Sequence, residues 1–479
     1  MRKVAQPVLA IASALIATLA TSCGGDRKPP TEPGLPITAP APPPPAPPPG
    51  PPSPRPNVDL TISIDAAKRF QTIEGFGTSM RAFSDPHLSL LAIVPENSLR
   101  IPESAQRQIL DSLYRGIGLT RVRIVPNARG IEPVNDNDDP QNTDLSRFDF
   151  SWIKNDVFFP AIREARARGV TTWWSAPVQI EPWMNLGNPE ENVEWAMAIL
   201  RRWRNEGLEL PYYSVINEPS YERSQGPWPG EYMRDVVKLL GRSLKNEGFK
   251  TKIVIPDDLN AYLAARIAEV VLADPEARSY VAALPFHLYG GPPGQERELK
   301  ELASRYGIPL WMSEHFVADG LAWGLSVHEL LADSDVSAVD YLFGFFSESN
   351  QAQLISLLHR GTEYLGFRME PHFYVFGQYS KYVRPGAVRV LATAPPANVK
   401  ASAFVQNGRM TIVAINPGTT AVTVRFELAG HSGTERFSAV RTLPRVANSD
   451  RLTPQAAIDV VNGSIVAVLA PESMSTFFQ

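Results

Sequence analysis

The 479-residue chain reads as an α/β protein, a (β/α)8 barrel with an appended C-terminal β-sandwich that also takes in an N-terminal strand. Three observations predict this. Between residues 70 and 383, short apolar runs alternate with helix-length amphipathic segments, the pattern of parallel strands joined by crossover helices. Eight such runs can be marked out, which suits a closed barrel better than an open sheet. From residue 384 onward the helical segments stop and only short strand-like runs remain, the texture of a sandwich.

The barrel strands are expected at 72–77, 120–125, 170–176, 212–216, 252–256, 281–286, 309–313 and 339–346. Helices are expected between them at 102–115, 150–168, 190–206, 230–247, 259–273, 294–306 and 325–332. Gly169, Gly207, Gly248 and Gly307 stand where four of these should stop. A last helix over 371–382 ends before Arg384-Pro385-Gly386. The strands that follow are read at 387–392, 400–405, 410–415, 421–428, 436–443, 464–469 and 474–478, with Asn407-Gly408 as a tight hairpin turn. One earlier strand, Val58–Ile64, alternates apolar and polar residues but has no place in the barrel. It is expected to pair with the C-terminal strands, so that residues 57–69 join the sandwich, 70–383 form the barrel and 384–479 complete the sandwich.

The N-terminus reads as an export signal. Arg2 and Lys3 precede an apolar run of 13 residues, Val8–Ala20, too short for a bilayer span, which needs about 20. The chain's single cysteine, Cys23, follows small residues in Leu19-Ala20-Thr21-Ser22-Cys23-Gly24, which resembles a bacterial lipobox. Residues 1–22 are therefore expected to be a lipoprotein-type signal peptide and Cys23 the lipidated residue. The alternative is an ordinary export signal with an incidental cysteine. One cysteine also leaves no intramolecular disulfide. In Pro29–Pro56, 16 of 28 residues are proline, so residues 23–56 should be an extended spacer. The expected setting is an exported protein, held at a membrane by its lipid and facing the periplasm or cell exterior, most simply as a monomer.

Composition narrows the function. With 46 basic against 50 acidic residues the formal charge is −4, which argues against a nucleic-acid partner. No glycine-rich phosphate loop opens a helix, and no second His or Cys lies at metal-ligand spacing, so no cofactor and no metal is expected. Two glutamates stand out instead. Glu218 closes the run Tyr212-Tyr213-Ser214-Val215-Ile216-Asn217-Glu218-Pro219, and Glu314 closes Pro309-Leu310-Trp311-Met312-Ser313-Glu314. These are the carboxyl ends of strands four and seven, where barrel side chains do chemistry. Two facing carboxylates are the equipment for cleaving a glycosidic bond.

Several segments together resemble glycoside hydrolase family 30. Beyond Asn217-Glu218-Pro219 these are Gln71-Thr72-Ile73-Glu74-Gly75-Phe76-Gly77, Trp174-Ser175-Ala176-Pro177 through Pro182-Trp183-Met184, Pro285-Phe286-His287-Leu288-Tyr289-Gly290, Trp311-Met312-Ser313-Glu314-His315, and Phe376-Gly377-Gln378-Tyr379-Ser380-Lys381-Tyr382-Val383-Arg384-Pro385-Gly386. The resemblance runs from about residue 58 to 479. It implies a retaining glycosidase with Glu218 as general acid/base and Glu314 as nucleophile. It also implies Arg123 as the cation beside the nucleophile and Asn217 as the partner of the sugar 2-hydroxyl. His287 and Tyr289 alternate on strand six and so share a face. If that face is inward, the Tyr289 hydroxyl could donate to Glu314, and His287 is either a site residue or a satisfied core histidine.

Aromatic residues near strand ends could stack on sugar rings. Trp174 and Trp183 are the first choices, with Trp228, Trp323 and Phe345 behind them, and core packing is the alternative for each. Family members acting on glucuronoxylan carry a basic, aromatic-rich segment after strand eight. Here that segment, Phe345-Phe346-Ser347-Glu348-Ser349-Asn350-Gln351-Ala352-Gln353, has no arginine and one acid. The resemblance then implies an endo-acting enzyme on a neutral plant-type polysaccharide, foremost β-1,4-xylan. The alternatives are a β-1,6-glucanase or β-1,6-galactanase, or a surface glycan-binding lipoprotein without activity.

Overall fold

The computed structural model describes residues 57–479 except 92–93, 136–139, 141–143, 152–153, 185, 222–226, 394–397, 432–435 and 448. The expected signal peptide, Cys23 and the proline-rich spacer lie outside the described residues. In chain order the first eleven strands are β1 (Leu60–Thr72), β2 (Gly75–Met80), β3 (Arg121–Ile124), β4 (Thr172–Ser175), β5 (Tyr212–Ser214), β6 (Lys252–Val254), β7 (Val281–His287), β8 (Leu310–His315), β9 (Ala338–Ser347), β10 (Gln353–Arg360) and β11 (Glu363–Met369). The remaining strands are β12 (Val388–Ala392), β13 (Lys400–Gln406), β14 (Arg409–Asn416), β15 (Val422–Ala429), β16 (Phe437–Thr442), β17 (Thr453–Ile458), β18 (Ser464–Leu469) and β19 (Ser473–Phe478).

Strands β2 to β9 are the barrel. Each pairs in parallel with the next, and β9 pairs with both β8 and β2, which closes the sheet. All eight expected strands are present, displaced by at most a few residues. Beyond the barrel, β10 extends β9 in parallel and turns back antiparallel as β11. Neither strand of this hairpin is among those expected from the sequence.

Helices α1 (Glu103–Asp111), α2 (Phe158–Arg166), α3 (Pro189–Asn205), α4 (Gly230–Asn246), α5 (Ala261–Ala273), α6 (Pro275–Tyr280), α7 (Glu296–Tyr306) and α8 (Gly320–Ala332) connect the strands, and α9 (Pro371–Ser380) follows them. Local chemistry sets their limits. Asn260, Asp274 and Asp319 accept backbone N–H groups at the starts of α5, α6 and α8. Proline opens α3 and α9, where no N–H is needed. Gly307 ends α7 in the left-handed conformation, φ 65°.

The barrel interior is tightly filled. Trp174 and Trp311 meet at 5.7 Å, and Ala176, Val254, Ala283 and Ala338 complete their cluster. Small residues on neighbouring strands leave room for two indoles. Among them lies a buried ion pair, Arg121 Nε to Asp340 Oδ1 at 3.1 Å, with the guanidinium 4.1 Å over the Trp311 ring. Gly77 faces this pair: a Cβ there would stand 2.3 Å from Asp340 Oδ1 and 2.5 Å from Arg121 Cβ. Burial raises the Asp340 carboxyl's pKa, and Arg121 offsets only part of that.

The other sheet contains nine strands in the order β17-β16-β19-β14-β13-β12-β1-β15-β18. Phe426 on β15 and Phe477 on β19 stand 5.7 Å apart although four strands separate them along the sheet. The sheet therefore doubles over into two layers around a core that includes Ile62, Ile64, Val424 and Phe437. As expected, the N-terminal strand belongs here: β1 runs parallel to β15 and antiparallel to β12. It is longer than Val58–Ile64 suggested and stays with the sandwich as far as Thr72. Helices α8 and α9 join the two parts. The main core continues from the barrel through them to Phe404, Val413, Ile415 and Met474, and Gln378 bonds to Thr442 and Thr476.

Asp340→Ala should leave the Arg121 guanidinium buried without its counter-charge. A loss of about 3–5 kcal/mol is expected by denaturant unfolding. A loss below about 1 kcal/mol would show that the pair does not hold the barrel floor together.

Candidate active site

Alternation along β3 turns both Arg121 and Arg123 inward. Arg121 serves the floor, and Arg123, two residues further on, reaches the carboxyl ends of the strands. It is fully buried, and its four terminal N–H bonds are accounted for. Nη1 donates to Glu314 Oε2 at 2.5 Å and to Ser79 Oγ at 3.3 Å. Nη2 donates to Asn217 Oδ1 and to Asp257 Oδ2, the latter at 2.8 Å. Burial alone would lower its pKa, but Asp257 and Glu314 more than offset that and hold the guanidinium charged.

Glu218 and Glu314 face each other here. Together with His287, each contributes an atom such that all three lie within 4.8 Å of one another. Both carboxylates retain a little exposure, 16% and 13%, so a ligand can reach them from the mouth of the barrel. The backbone that presents Glu218 is held from two sides. Asn217 N–H donates to Pro177 O at 2.7 Å, and Glu218 N–H donates to Asp257 O at 2.9 Å. Glu218 and Asp257 both have positive φ, 52° and 57°, a conformation that non-glycine residues adopt at a cost.

His287 is wholly buried between acids. Its Nδ1 lies 3.1 Å from Glu218 Oε1 and 4.0 Å from Glu314 Oε1, and its Nε2 lies 3.3 Å from Asp257 Oδ1. Burial works against a charge on the ring, but Glu314, Asp257 and Glu218 outweigh it and push the pKa up to about 10. Of the two readings left open for His287, the structure places it in the site. Tyr289 stands beside it, ring to ring at 5.8 Å. Burial and the adjacent Glu314 carboxylate raise its hydroxyl's pKa well above the usual tyrosine value. His315 is kept neutral: burial and the His287 charge lower its pKa to about 4.

Asp257 was not foreseen. It is fully buried just past β6, accepts from Ser313 Oγ at 2.6 Å, and touches both Arg123 and His287. Burial would raise its pKa, but Arg123, His287 and Ser313 hold it well below the usual carboxylate range. Its sequence signal was weak, one of two adjacent aspartates at the end of a short run. Ser79 and Ser313 were likewise absent from the expected set.

The aromatic residues are placed unevenly. Trp174 has no exposed face; it lies in the barrel floor with Arg123 5.4 Å above its ring, which corrects its reading as a sugar platform. The reason is alternation, which points it into the packed interior. Trp183 is half-buried in the loop after β4, where its indole N–H donates to Glu132 O at 2.7 Å. Trp228, Trp323 and Phe345 are buried in packing contacts with Tyr232, Tyr341 and Phe83 respectively. The segment after strand eight, which lacks an arginine, meets one from β2's end: the Arg81 guanidinium lies 5.1 Å from the Phe343 ring and 5.7 Å from Phe346. Arg81 is itself paired with Asp85 at 3.2 Å.

Glu218, His287 and Glu314 are also spaced as three ligands of a metal ion could be. This trio joins three strands and so left no mark in sequence spacing. Arg123 on Glu314 and the charge on His287 compete with a cation there.

A raised histidine pKa stabilises the fold fully below the unfolded value of 6.5, and the contribution is lost as pH rises through about 10. Thermal stability should therefore decline across that window, and His287→Gln should flatten the decline. An unchanged slope in melting temperature against pH would refute the charged state of His287.

No family model matches the chain. Among curated proteins it is 26% identical over 287 residues to glucuronoxylanase XynC of Bacillus subtilis (strain 168), covering 57% of this chain and 62% of that one. It is 26% identical over 260 residues to the lysosomal acid glucosylceramidase of Mus musculus, 48% of each chain. Thus the chain spans less than two thirds of the length of these relatives. Similar solved structures include the family 30 subfamily 8 xylanase Xyn30A from Clostridium acetobutylicum, with TM-score 0.65, 23% identity, and 87% and 99% of the two chains covered. The catalytic domain of xylanase C from Talaromyces cellulolyticus gives TM-score 0.69 at 22% identity, with the same coverage. The endo-β-1,6-glucanase BT3312 gives 0.64 at 18%, covering 87% and 93%. The resemblance to glycoside hydrolase family 30 that the motifs carry is borne out by these relatives and fold neighbours.

Proposed function

We propose that the protein is a retaining β-glycosidase that cleaves a plant-type polysaccharide internally by double displacement. One observation carries this reading: the carboxylates of Glu218 and Glu314 approach within 4.8 Å at the mouth of the barrel. Retaining enzymes hold their two carboxyl groups about 5–5.5 Å apart, whereas inverting ones leave about 6.5–9.5 Å for a water molecule. Glu314, bound to Arg123, attacks the anomeric carbon, and Glu218 protonates the departing oxygen. Glu218 then takes a proton from the water that releases the sugar from Glu314. Asn217, oriented by Arg123, meets the sugar 2-hydroxyl, a contact that strengthens in the transition state.

β-1,4-Xylan is the substrate proposed first. The xylanase likenesses support it, and so does the segment after strand eight, where the nearby Arg81 guanidinium already has Asp85 as counter-ion. Such a site suits an uncharged backbone. The likeness to a β-1,6-glucanase supports a second reading, a β-1,6-linked glucan or galactan. A surface protein that only binds glycan would need neither glutamate. The setting proposed is the cell exterior or periplasm, with the chain exported, anchored through Cys23 and its proline-rich spacer, and acting as a monomer.

A panel of neutral xylan, glucuronoxylan, β-1,6-glucan and β-1,6-galactan with product sizing tests the substrate. Neutral xylan should give a ladder of oligosaccharides, and cleavage of a β-1,6 polymer alone would transfer the assignment to the second reading. In the variants, Glu218→Gln should lower kcat by about 10²–10⁴-fold, and Glu314→Gln should abolish turnover while substrate binding persists. Wild-type hydrolysis in a Glu314→Gln variant would remove the nucleophile. NMR of the first-released anomer should show retention, and inversion would eliminate double displacement.

A further inference from the structure

The glycosidase reading uses Glu218, Glu314, Arg123 and Asn217 and gives Asp257 and His287 no task. Their geometry is specific. The two hydrogens of Arg123 Nη2 are directed to Asn217 Oδ1 and Asp257 Oδ2, so none is left for His287, whose Nε2 lies 3.2 Å from Nη2. That ring nitrogen has an acceptor instead, Asp257 Oδ1 at 3.3 Å, and satisfies it by carrying its own proton. With Nε2 committed to Asp257, the ring turns Nδ1 to Glu218 Oε1 at 3.1 Å. A carboxylate therefore stands at each end of the imidazole.

We propose that Asp257 is a positioning residue that anchors His287, and that His287 stores the proton which Glu218 delivers to the leaving oxygen. The proposal rests on the glycosidase reading for its catalytic meaning, though not for its first test. The step is a single proton transfer. The Nδ1–H bond of the imidazolium breaks, its electron pair stays on the ring, and an O–H bond forms at Glu218. Ring and carboxylate thereby become neutral together, and the proton enters the pair from solvent and leaves on the glycosidic oxygen. Exchanging a proton this way changes no net charge, which is favourable beside a wholly buried ring.

Every neighbouring element contributes to the balance at the ring. Arg123 on β3 opposes a ring charge, while His315 on β8 stays neutral. Glu218 after β5, Asp257 and Asp258 after β6, and Glu314 on β8 favour the ring charge. Tyr289, edge-on to the ring, stays a neutral phenol. Asp257 is the one of these acids that is fully buried, touches Nε2 and lies on the side away from Glu218. Its charge is thus the means of setting proton affinity without blocking the proton's path.

The test is a pH titration of the His287 ring by ¹⁵N NMR in the full-length protein without substrate, in wild type, Asp257→Asn, Asp257→Glu and Ser313→Ala. Removing the Asp257 charge should lower the ring's midpoint by about 1 unit or more. The basic limb of kcat/KM should move toward acid by a similar amount, and Asp257→Glu should restore both. Ser313→Ala removes the 2.6 Å donor from Asp257 Oδ1, leaves that oxygen more basic, and should move the midpoint the other way. A residue that merely held Arg123 in place would lower kcat at every pH and leave both midpoints still. An unmoved ring midpoint in folded Asp257→Asn overturns the proposal. If that variant does not fold, an unmoved or lowered midpoint in Ser313→Ala does so instead. Because the ring titration needs no substrate, failure of the substrate panel would sink the glycosidase reading and leave the Asp257–His287 result standing.

Discussion

One buried guanidinium organises the mouth of this barrel. Arg123 comes from barrel strand two and binds Ser79 from strand one, Asn217 after strand four, Asp257 after strand five and Glu314 on strand seven. A point charge on a flexible stem could not hold four partners in fixed directions, whereas the planar fork of arginine can. Burying such a charge is costly unless its partners repay it. Here two carboxylates and two neutral acceptors do so, and each is thereby fixed in place. The Glu314 carboxylate is thus oriented before any ligand arrives, as a preorganised site requires.

The same strand supports this arrangement from below. Arg121 fills the level beneath with its Asp340 pair and stacks on Trp311, while Trp174 lies under Arg123. Floor and site are thus successive inward positions of one alternating strand. Small residues at Gly77, Ala176, Ala283 and Ala338 provide the space, so their size carries as much information as the bulk of the tryptophans. The sandwich, fastened through α8 and α9, buttresses the side of the barrel where strands eight and one close it.

Much of this was legible along the chain. The eight barrel strands, the helix ends and the pairing of the N-terminal strand follow from alternation and from caps, which are local properties. Four barrel residues proposed around the glutamates, Asn217, Arg123, His287 and Tyr289, do converge on them. Trp174 shows where such reading stops: an aromatic at a strand end looks the same whether its ring faces a ligand or the packed interior. Strands β11 and β17 escaped because they are partly exposed with mixed polarity, whereas β10 is a buried apolar run, around Leu354, Ile355 and Leu357, that lies beyond the eight strands a barrel needs.

The sequence by itself determined the kind of protein this is. Period and punctuation specify strands and helices, strand order specifies a barrel, and position at strand ends marks out two glutamates. Only the tertiary structure decided what surrounds them. Arg123 meets residues 94, 134 and 191 positions away, and Asp257 enters the site through contacts that no local pattern encodes. The physical reason is closure. Which inward side chains touch depends on the register around all eight strands, and that register is settled by packing across the barrel rather than by any one segment.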